Sequence, residues 1–309
     1  MLKMPGKSYK GPLMPLTADQ LALRDQLRND VETLARQIGE RNIWKYTNLT
    51  AAADFIENSL NQIGYKTSRQ NFSADGKTCS NIEAELKGSS QPDRIIIIGA
   101  HYDTVLGSPG ANDNASAVAA NLALARHFKA QSPTKTLRFV FFANEEPPFF
   151  QTLQMGSQHY AKACRQKNEN IIAMLSLETI GYYTDEHKTQ NYPPPLSLFY
   201  PSTGNFLGFV GNLSSRKLLY KAIASFRDNC KFPSEGGAFP SFVPGITWSD
   251  HYSFWQQNYP AIMLTDTAPF RYPHYHGHED TVDKICFDHL AIVTSGIKTI
   301  IYGLLAPDS

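Results

Sequence analysis

The feature that most constrains this chain is a set of unbroken apolar runs: "IIIIGA" (95–100), "LRFVFFAN" (137–144), "NIIAMLSL" (170–177) and "AIMLTD" (261–266). Each is continuous rather than alternating, which predicts strands buried on both faces. A fifth run, "LGFVGN" (207–212), and helix-periodic segments near 114–130, 156–167, 214–228 and 287–305 lie between or after them. Strands alternating with helices predict an α/β fold with a mixed, mainly parallel central sheet and helices on both faces. Upstream, Leu21, Leu23, Leu27, Val31, Leu34 and Ile38 recur at near-helical spacing behind Thr17, a suitable cap. A second helix is expected over Thr50 to Ile63, and alternation in Lys66–Phe72 and "SNIEAELKG" predicts a hairpin. Residues 1–16, with three prolines, read as an extended arm and 17–309 as a single domain. The stretches 184–195 and 232–244 read as long loops.

The apolar runs share a second property: polar groups follow them. The first ends in His101-Tyr102-Asp103, the second in Glu145-Glu146 and the third in Glu178, while the last leads through "TAPFRYPHY" to His276. In an open parallel sheet the carboxyl ends of the strands form one rim, where ligands bind. A loop after the first run, "TVLGSPGANDNAS", is long enough to fold Asp113 back over that rim, although Asp there also suits a helix cap. Asp103, Asp113, Glu145, Glu146 and Glu178 would then gather with no Lys or Arg in the same motifs. Two like charges about 4 Å apart repel by roughly 4 kcal/mol at an effective dielectric of about 20, so the cluster calls for a cation. Mixed imidazole and carboxylate donors favour Zn²⁺, with Mn²⁺ or Co²⁺ possible, over Ca²⁺ or Mg²⁺. Two such ions, three ligand carboxylates and a hydroxide come close to neutrality.

The remaining composition narrows the partners. With 29 Lys+Arg against 28 Asp+Glu there is no basic surface to bind nucleic acid or anionic lipid, which leaves a small molecule or peptide. No stretch approaches the roughly 18 apolar residues of a membrane span. Cys79, Cys164, Cys230 and Cys286 include no CxxC pair and are expected as free thiols. No signal peptide is visible, so the chain as written reads as cytoplasmic, or as periplasmic or secreted if a signal has been removed. Nothing in the sequence fixes an oligomeric state.

In order, "HYDT…GANDNAS", "ANEE", "LSLETIGYY", "TWSDHYSF" and "HGHEDT" resemble the motifs of the co-catalytic zinc exopeptidases, metallopeptidase family 28, over about Ile95 to Ile285. That family includes bacterial aminopeptidases, glutamate carboxypeptidase and glutaminyl cyclase. The resemblance implies a zinc-exopeptidase-like, phosphorylase/hydrolase-like catalytic domain holding two Zn²⁺ ions. It places His101, Asp113 and Glu178 on one metal and Asp113, Glu146 and His276 on the other, with Asp113 bridging and a cis peptide between Asp113 and Asn114. Glu145 would be the general base for a hydroxide shared by the metals, and Tyr275 would stand near the developing oxyanion. Asp103 would accept a hydrogen bond from the second nitrogen of His101. Asp250 and Asp280 are weaker supporting candidates. Among His274, His276 and His278, the family spacing His-x-x-x-Asp-Thr selects His276. Glu178 departs from the aspartate more usual in the family at that position.

The implied function is an exopeptidase acting on peptide or aminoacyl substrates, foremost an aminopeptidase. A single-zinc glutaminyl cyclase is the alternative, though cyclases tend to carry tryptophan at Tyr275. A carboxypeptidase would need a cation for the substrate carboxylate, for which Arg271 is nearest in sequence. A binding protein of the same fold would be expected to lack ligands or base. His127, His159, His187 and His289 read as packing or surface residues, and His251 as either a structural hydrogen bond or a substrate contact. Phe149, Phe150 and Trp248 could line a substrate pocket or roof the core.

Overall fold

The computed structural model describes residues 3–306; the first two residues of the expected arm and residues 307–309 lie outside them. Eight strands form one sheet: β1 (Thr67–Ala74), β2 (Lys77–Leu86), β3 (Gln91–His101), β4 (Lys135–Phe142), β5 (Asn170–Glu178), β6 (Leu207–Gly211), β7 (Ser234–Ala238) and β8 (Ala261–Thr265). Their spatial order is β1-β2-β4-β3-β5-β8-β6-β7. The central pairs β4-β3, β3-β5 and β5-β8 are parallel, as is β6-β7. Antiparallel pairing joins the β1-β2 hairpin to β4, and β6 to β8. The sheet is therefore mixed and mainly parallel.

Alternation decides which face each strand residue covers. On one face Ile96, Ile98, Phe139 and Phe141 pack under α1 (Ala18–Val31), α2 (Tyr46–Ile63), α3 (Ala117–Lys129), α5 (Arg216–Asn229) and α8 (Phe287–Leu305). On the other, Ile95, Ile97, Val140 and Phe142 meet α4 (Gly156–Gln166) and α6 (His251–Gln256). A short α7 (Ala268–Arg271) follows β8. Small residues such as Ala117, Ala119, Ala120 and Ala123 let α3 sit close to the sheet, and almost all of that helix is buried. Thr17 caps α1 through a reciprocal pair with Gln20, and α1 runs on as a wider π-type turn to Ile38.

Two sequence expectations change. α2 begins at Tyr46, one turn before Thr50. The expected loop 232–244 contains β7, because "SEGGA" has almost no side chains to signal a strand yet pairs in parallel with β6. The arm has no regular secondary structure but is tied down: Arg227 donates to the Pro5 carbonyl at 2.8 Å, and the Ser234 amide donates to Ser8 Oγ at 2.9 Å.

Arg41 fixes the loop that leaves β3. It is fully buried and donates to the carbonyls of Tyr102 (2.6 Å), Pro109 (2.6 Å) and Gly110 (2.8 Å). Burial pulls its pKa down to about 10, which leaves it charged at neutral pH. Its charge sits beside Asp280, Asp103, Asp113 and Glu146, so the acidic cluster has a cation behind it that no motif in the sequence announced. Replacing Arg41 by methionine leaves several buried carbonyls without donors. Urea denaturation should show a loss of about 3 kcal/mol or more, and an unchanged midpoint would refute this role.

Candidate metal centre

The strand ends deliver the polar groups to one rim of the sheet. His101 is the last residue of β3 and fully buried. Beyond β4, Asn144 takes a left-handed φ of 60° and turns the chain so that Glu145 and Glu146 leave the strand axis. Glu178 ends β5, and Thr179 beside it has φ 44°. His276 also has positive φ, 58°, on the loop beyond α7. Asp113 lies in an irregular turn between β3 and α3, and its peptide bond to Asn114 is cis.

Two groups of three result, sharing Asp113: His101, Asp113 and Glu178 in one, Asp113, Glu146 and His276 in the other, each with donor atoms within 4.8 Å of one another. His101 Nε2 lies 3.3 Å from Asp113 Oδ1 and 3.4 Å from Glu178 Oε2. His276 Nε2 lies 3.2 Å from Asp113 Oδ2 and from Glu146 Oε2. Neither Nε2 makes a hydrogen bond, and Asp113 Oδ1 and Glu146 Oε1 are buried without partners as well. Buried polar atoms left unpaired call for an explanation, such as an ion. A tetrahedral Zn²⁺ with ligands at about 2.0–2.1 Å holds neighbouring donor atoms about 3.3 Å apart, so these residues fit that ion. Glu145 belongs to neither group; its Oε2 stands 4.0 Å from His101 Nε2.

Surrounding residues hold the donors in place. Asp103 accepts the backbone N–H groups of Glu145 (3.0 Å) and Glu146 (3.1 Å). Its Oδ1 lies 3.6 Å from His101 Nδ1, longer than the hydrogen bond expected from the sequence. Asp280 accepts the N–H groups of Asn112 (2.8 Å) and Asp113 (3.0 Å) and the Tyr272 hydroxyl (2.9 Å). Asn114 ties the Asp113 turn to β5 by donating to the Leu177 carbonyl and accepting from the Thr179 amide. The Ser249 hydroxyl donates to Glu178 Oε2 at 2.7 Å, which pins the longer side chain that replaces the family's aspartate. Asp250, at the start of α6, is fully buried, with neither carboxylate oxygen hydrogen-bonded. Burial lifts its pKa to about 7.

Other expectations resolve plainly. Tyr275 stacks on the His276 ring at 3.8 Å between centroids. His274 pairs with Glu279 and His278 is exposed. His251 is bound through Nε2 to the Ile246 carbonyl at 2.8 Å, the structural alternative. Phe149 packs in the core and Trp248 lines a pocket. Arg271 is buried among Gln190, the Phe206 carbonyl and the Phe206 and Tyr183 rings, so it is not free to grip a substrate carboxylate. Arg41, Asn112, Asn114 and Ser249 went unnoticed in the sequence; only the density of asparagines in "GANDNAS" hinted at a side-chain network.

The electrostatics reflect ligands crowded around absent charge. Burial and the Asp113 charge lift Glu146 to about 7, and burial raises Glu145 and Glu178 as well. Burial opposes the imidazolium of His276, but the Asp113 and Glu146 carboxylates beside its Nε2 outweigh it and hold His276 near 10. His101 is raised for the same reason, with Glu178 the largest charge acting on it. Asp113 is pushed below the usual carboxylate range by the two histidines despite its burial. Without metal, the fold therefore binds more protons than the unfolded chain. The stabilisation from Glu146 is lost between about pH 4.5 and 7, and that from His276 between about 6.5 and 10. Zinc competes with those same protons. The gap in thermal midpoint between zinc-loaded and chelator-treated protein should widen steadily from pH 5.5 to 8.5. A gap independent of pH would contradict the ligand set.

Comparison with known proteins agrees with this geometry. The model of "Peptidase family M28" matches residues 81–301. The YfbL protein of Escherichia coli K12 is 35% identical over 288 residues, 90% of this chain and 88% of that protein. Among solved structures, the Bacillus subtilis zinc aminopeptidase BSAP superposes with TM-score 0.72 at 14% identity, covering 92% of this chain and 95% of that one. Tannerella forsythia glutaminyl cyclase superposes with TM-score 0.65 at 20% identity, covering 90% and 98%.

Proposed function

The chain belongs to peptidase family M28 and is a zinc metallo-exopeptidase, and from that premise we propose that it is an aminopeptidase using two zinc ions. The observation that carries this reading is the pair of His–carboxylate groups sharing Asp113, with Glu145 outside both and 4.0 Å from His101 Nε2. His101, Asp113 and Glu178 would hold one ion, and Asp113, Glu146 and His276 the other. Bound there, zinc supplies Lewis-acid polarisation of a carbonyl and a water of lowered pKa.

The protein's own groups do the rest. Glu145 is buried and its pKa is raised, so it is suited to take a proton from the attacking water and return it to the leaving amine nitrogen. Hydrolysis then balances, with hydroxyl on the carbonyl carbon and hydrogen on the amine. Tyr275, stacked on His276 beside the acidic groups, would donate its hydroxyl hydrogen to the developing oxyanion. The free carboxylate oxygens of this acidic site suit a substrate ammonium rather than a carboxylate. Both nearby arginines, Arg41 and Arg271, are engaged inside the protein, which argues against carboxypeptidase action.

Glu145→Gln should keep two zinc ions per chain by metal analysis while kcat on aminoacyl amides falls about 10²–10⁴-fold. N-acetylated peptides should resist cleavage. A glutaminyl peptide should release free glutamine; release of ammonia with a cyclised terminus instead would favour the cyclase and overturn the proposal.

A further inference from the structure

Beside Glu178 and Tyr275 opens a cavity of about 100 Å³ with largely apolar walls. Its floor is a row of residues in register across four strands: Glu178 on β5 faces Thr265 on β8, Thr265 faces Gly208 on β6, and Gly208 faces Glu235 on β7. Directly paired residues point to the same face, so this row runs from a candidate metal ligand to a second carboxylate at the sheet edge. Gly208 contributes no side chain to the middle of the floor, where Thr267 packs close: a Cβ there would stand 3.1 Å from Thr267 Cγ2.

Glu235 is out of place in such a cavity. Burial raises its pKa, and burial first, with the Glu235 charge adding to it, raises the hydroxyls of Tyr192 and Tyr200 in the wall. The nearest cation, Arg227, lies 4.0 Å away and is already bound to Ser234 and to the Pro5 carbonyl. Ser8 hydrogen-bonds to Glu235 and Lys10 lends it positive charge. Its ion pair with Arg227 is long, however, and a half-buried carboxylate in largely apolar surroundings gains from a cation that joins it in the cavity.

We propose that this cavity receives the side chain of the substrate's first residue and that Glu235 selects a long basic one, arginine or lysine. The inference rests on the aminopeptidase reading and adds its specificity. Three strand spacings of about 4.8 Å separate the two ends of the row, roughly 14 Å. From the reacting carbonyl carbon, an arginine guanidinium lies six bonds out, on the order of 7–8 Å in a staggered chain. The coordination gap at one end and a hydrogen bond at the other take up the remainder. A leucine side chain ends on the order of 5 Å out and leaves the acidic end unfilled. The walls also suit a cation on an aliphatic stem. Tyr192 stacks on Tyr200 (5.7 Å) and Trp248 on Phe270 (6.1 Å), and guanidinium groups pack against aromatic faces.

The test compares arginyl, lysyl, leucyl and phenylalanyl coumarin amides on the zinc-loaded wild type, Glu235→Gln and Glu235→Leu, with calorimetric titration of argininamide and leucinamide alongside. The wild type should favour arginyl and lysyl over leucyl amides by about tenfold or more in kcat/KM. Glu235→Gln should erase most of that ratio while leucyl turnover stays within about threefold, and Glu235→Leu should invert it. A wild type with no basic preference, or a preference unmoved by both variants, overturns the proposal. If no amide is hydrolysed, the aminopeptidase reading fails, and calorimetry still decides. Argininamide binding that is Glu235-dependent and tighter than leucinamide supports the pocket assignment; equal binding ends it.

Discussion

Repulsion among buried carboxylates is the constraint on which the rest of this structure depends. Asp113, Glu145, Glu146 and Glu178 meet at one rim, all but wholly removed from water. At that separation like charges cost several kcal/mol per pair unless a cation or a proton intervenes. Burial and mutual repulsion push Glu145, Glu146 and Glu178 up, and the neighbouring carboxylates push the histidines up, the directions in which a proton relieves that repulsion. The chain is thus built around positive charge supplied from outside, and a ligand set in this state holds its geometry only because the scaffold imposes it.

That imposition comes from a layer of groups holding backbone, not side chains. Asp103 clamps the amides of Glu145 and Glu146, Asp280 clamps those of Asn112 and Asp113, and Arg41 gathers the carbonyls of the loop between them. Carboxylates accepting amides on one side and a guanidinium donating to carbonyls on the other keep both backbone polarities satisfied in a buried loop. The arrangement also leaves Asp113 Oδ1 and Glu146 Oε1 without hydrogen bonds.

Much of the fold was legible because it is written in continuous apolar runs. Ile95–Ile98, Phe139–Phe142 and Met174–Leu177 left little choice but buried strands, and the residues that end them stand together in space. The exceptions have physical causes. β7, "SEGGA", is a strand by virtue of its neighbour β6, and its glycines carry no pattern of their own. Arg41 sits alone in "GERNIW", where nothing in sequence separates a buried organiser from a surface charge. The expected bond from Asp103 to His101 is a subtler case. Asp103 accepts the amides of Glu145 and Glu146 and stands 3.6 Å from His101 Nδ1, and sequence spacing carries no information about distances of that order.

The adjacency of Glu145 and Glu146 follows from the same geometry. Glu145 and Glu146 follow the left-handed Asn144 on one turn, and a single carboxylate, Asp103, fixes the amides of both. Glu146 is thereby turned toward Asp113 and His276, while Glu145 is turned toward His101 and the buried Asp250. Separating two carboxylates by more residues would give each its own backbone uncertainty. Placing them side by side on one clamped turn makes their relative position a property of the covalent chain. In the proposed mechanism, a proton-transferring Glu145 held at fixed distance from a coordinating Glu146 would need that rigidity more than any particular strand to carry it.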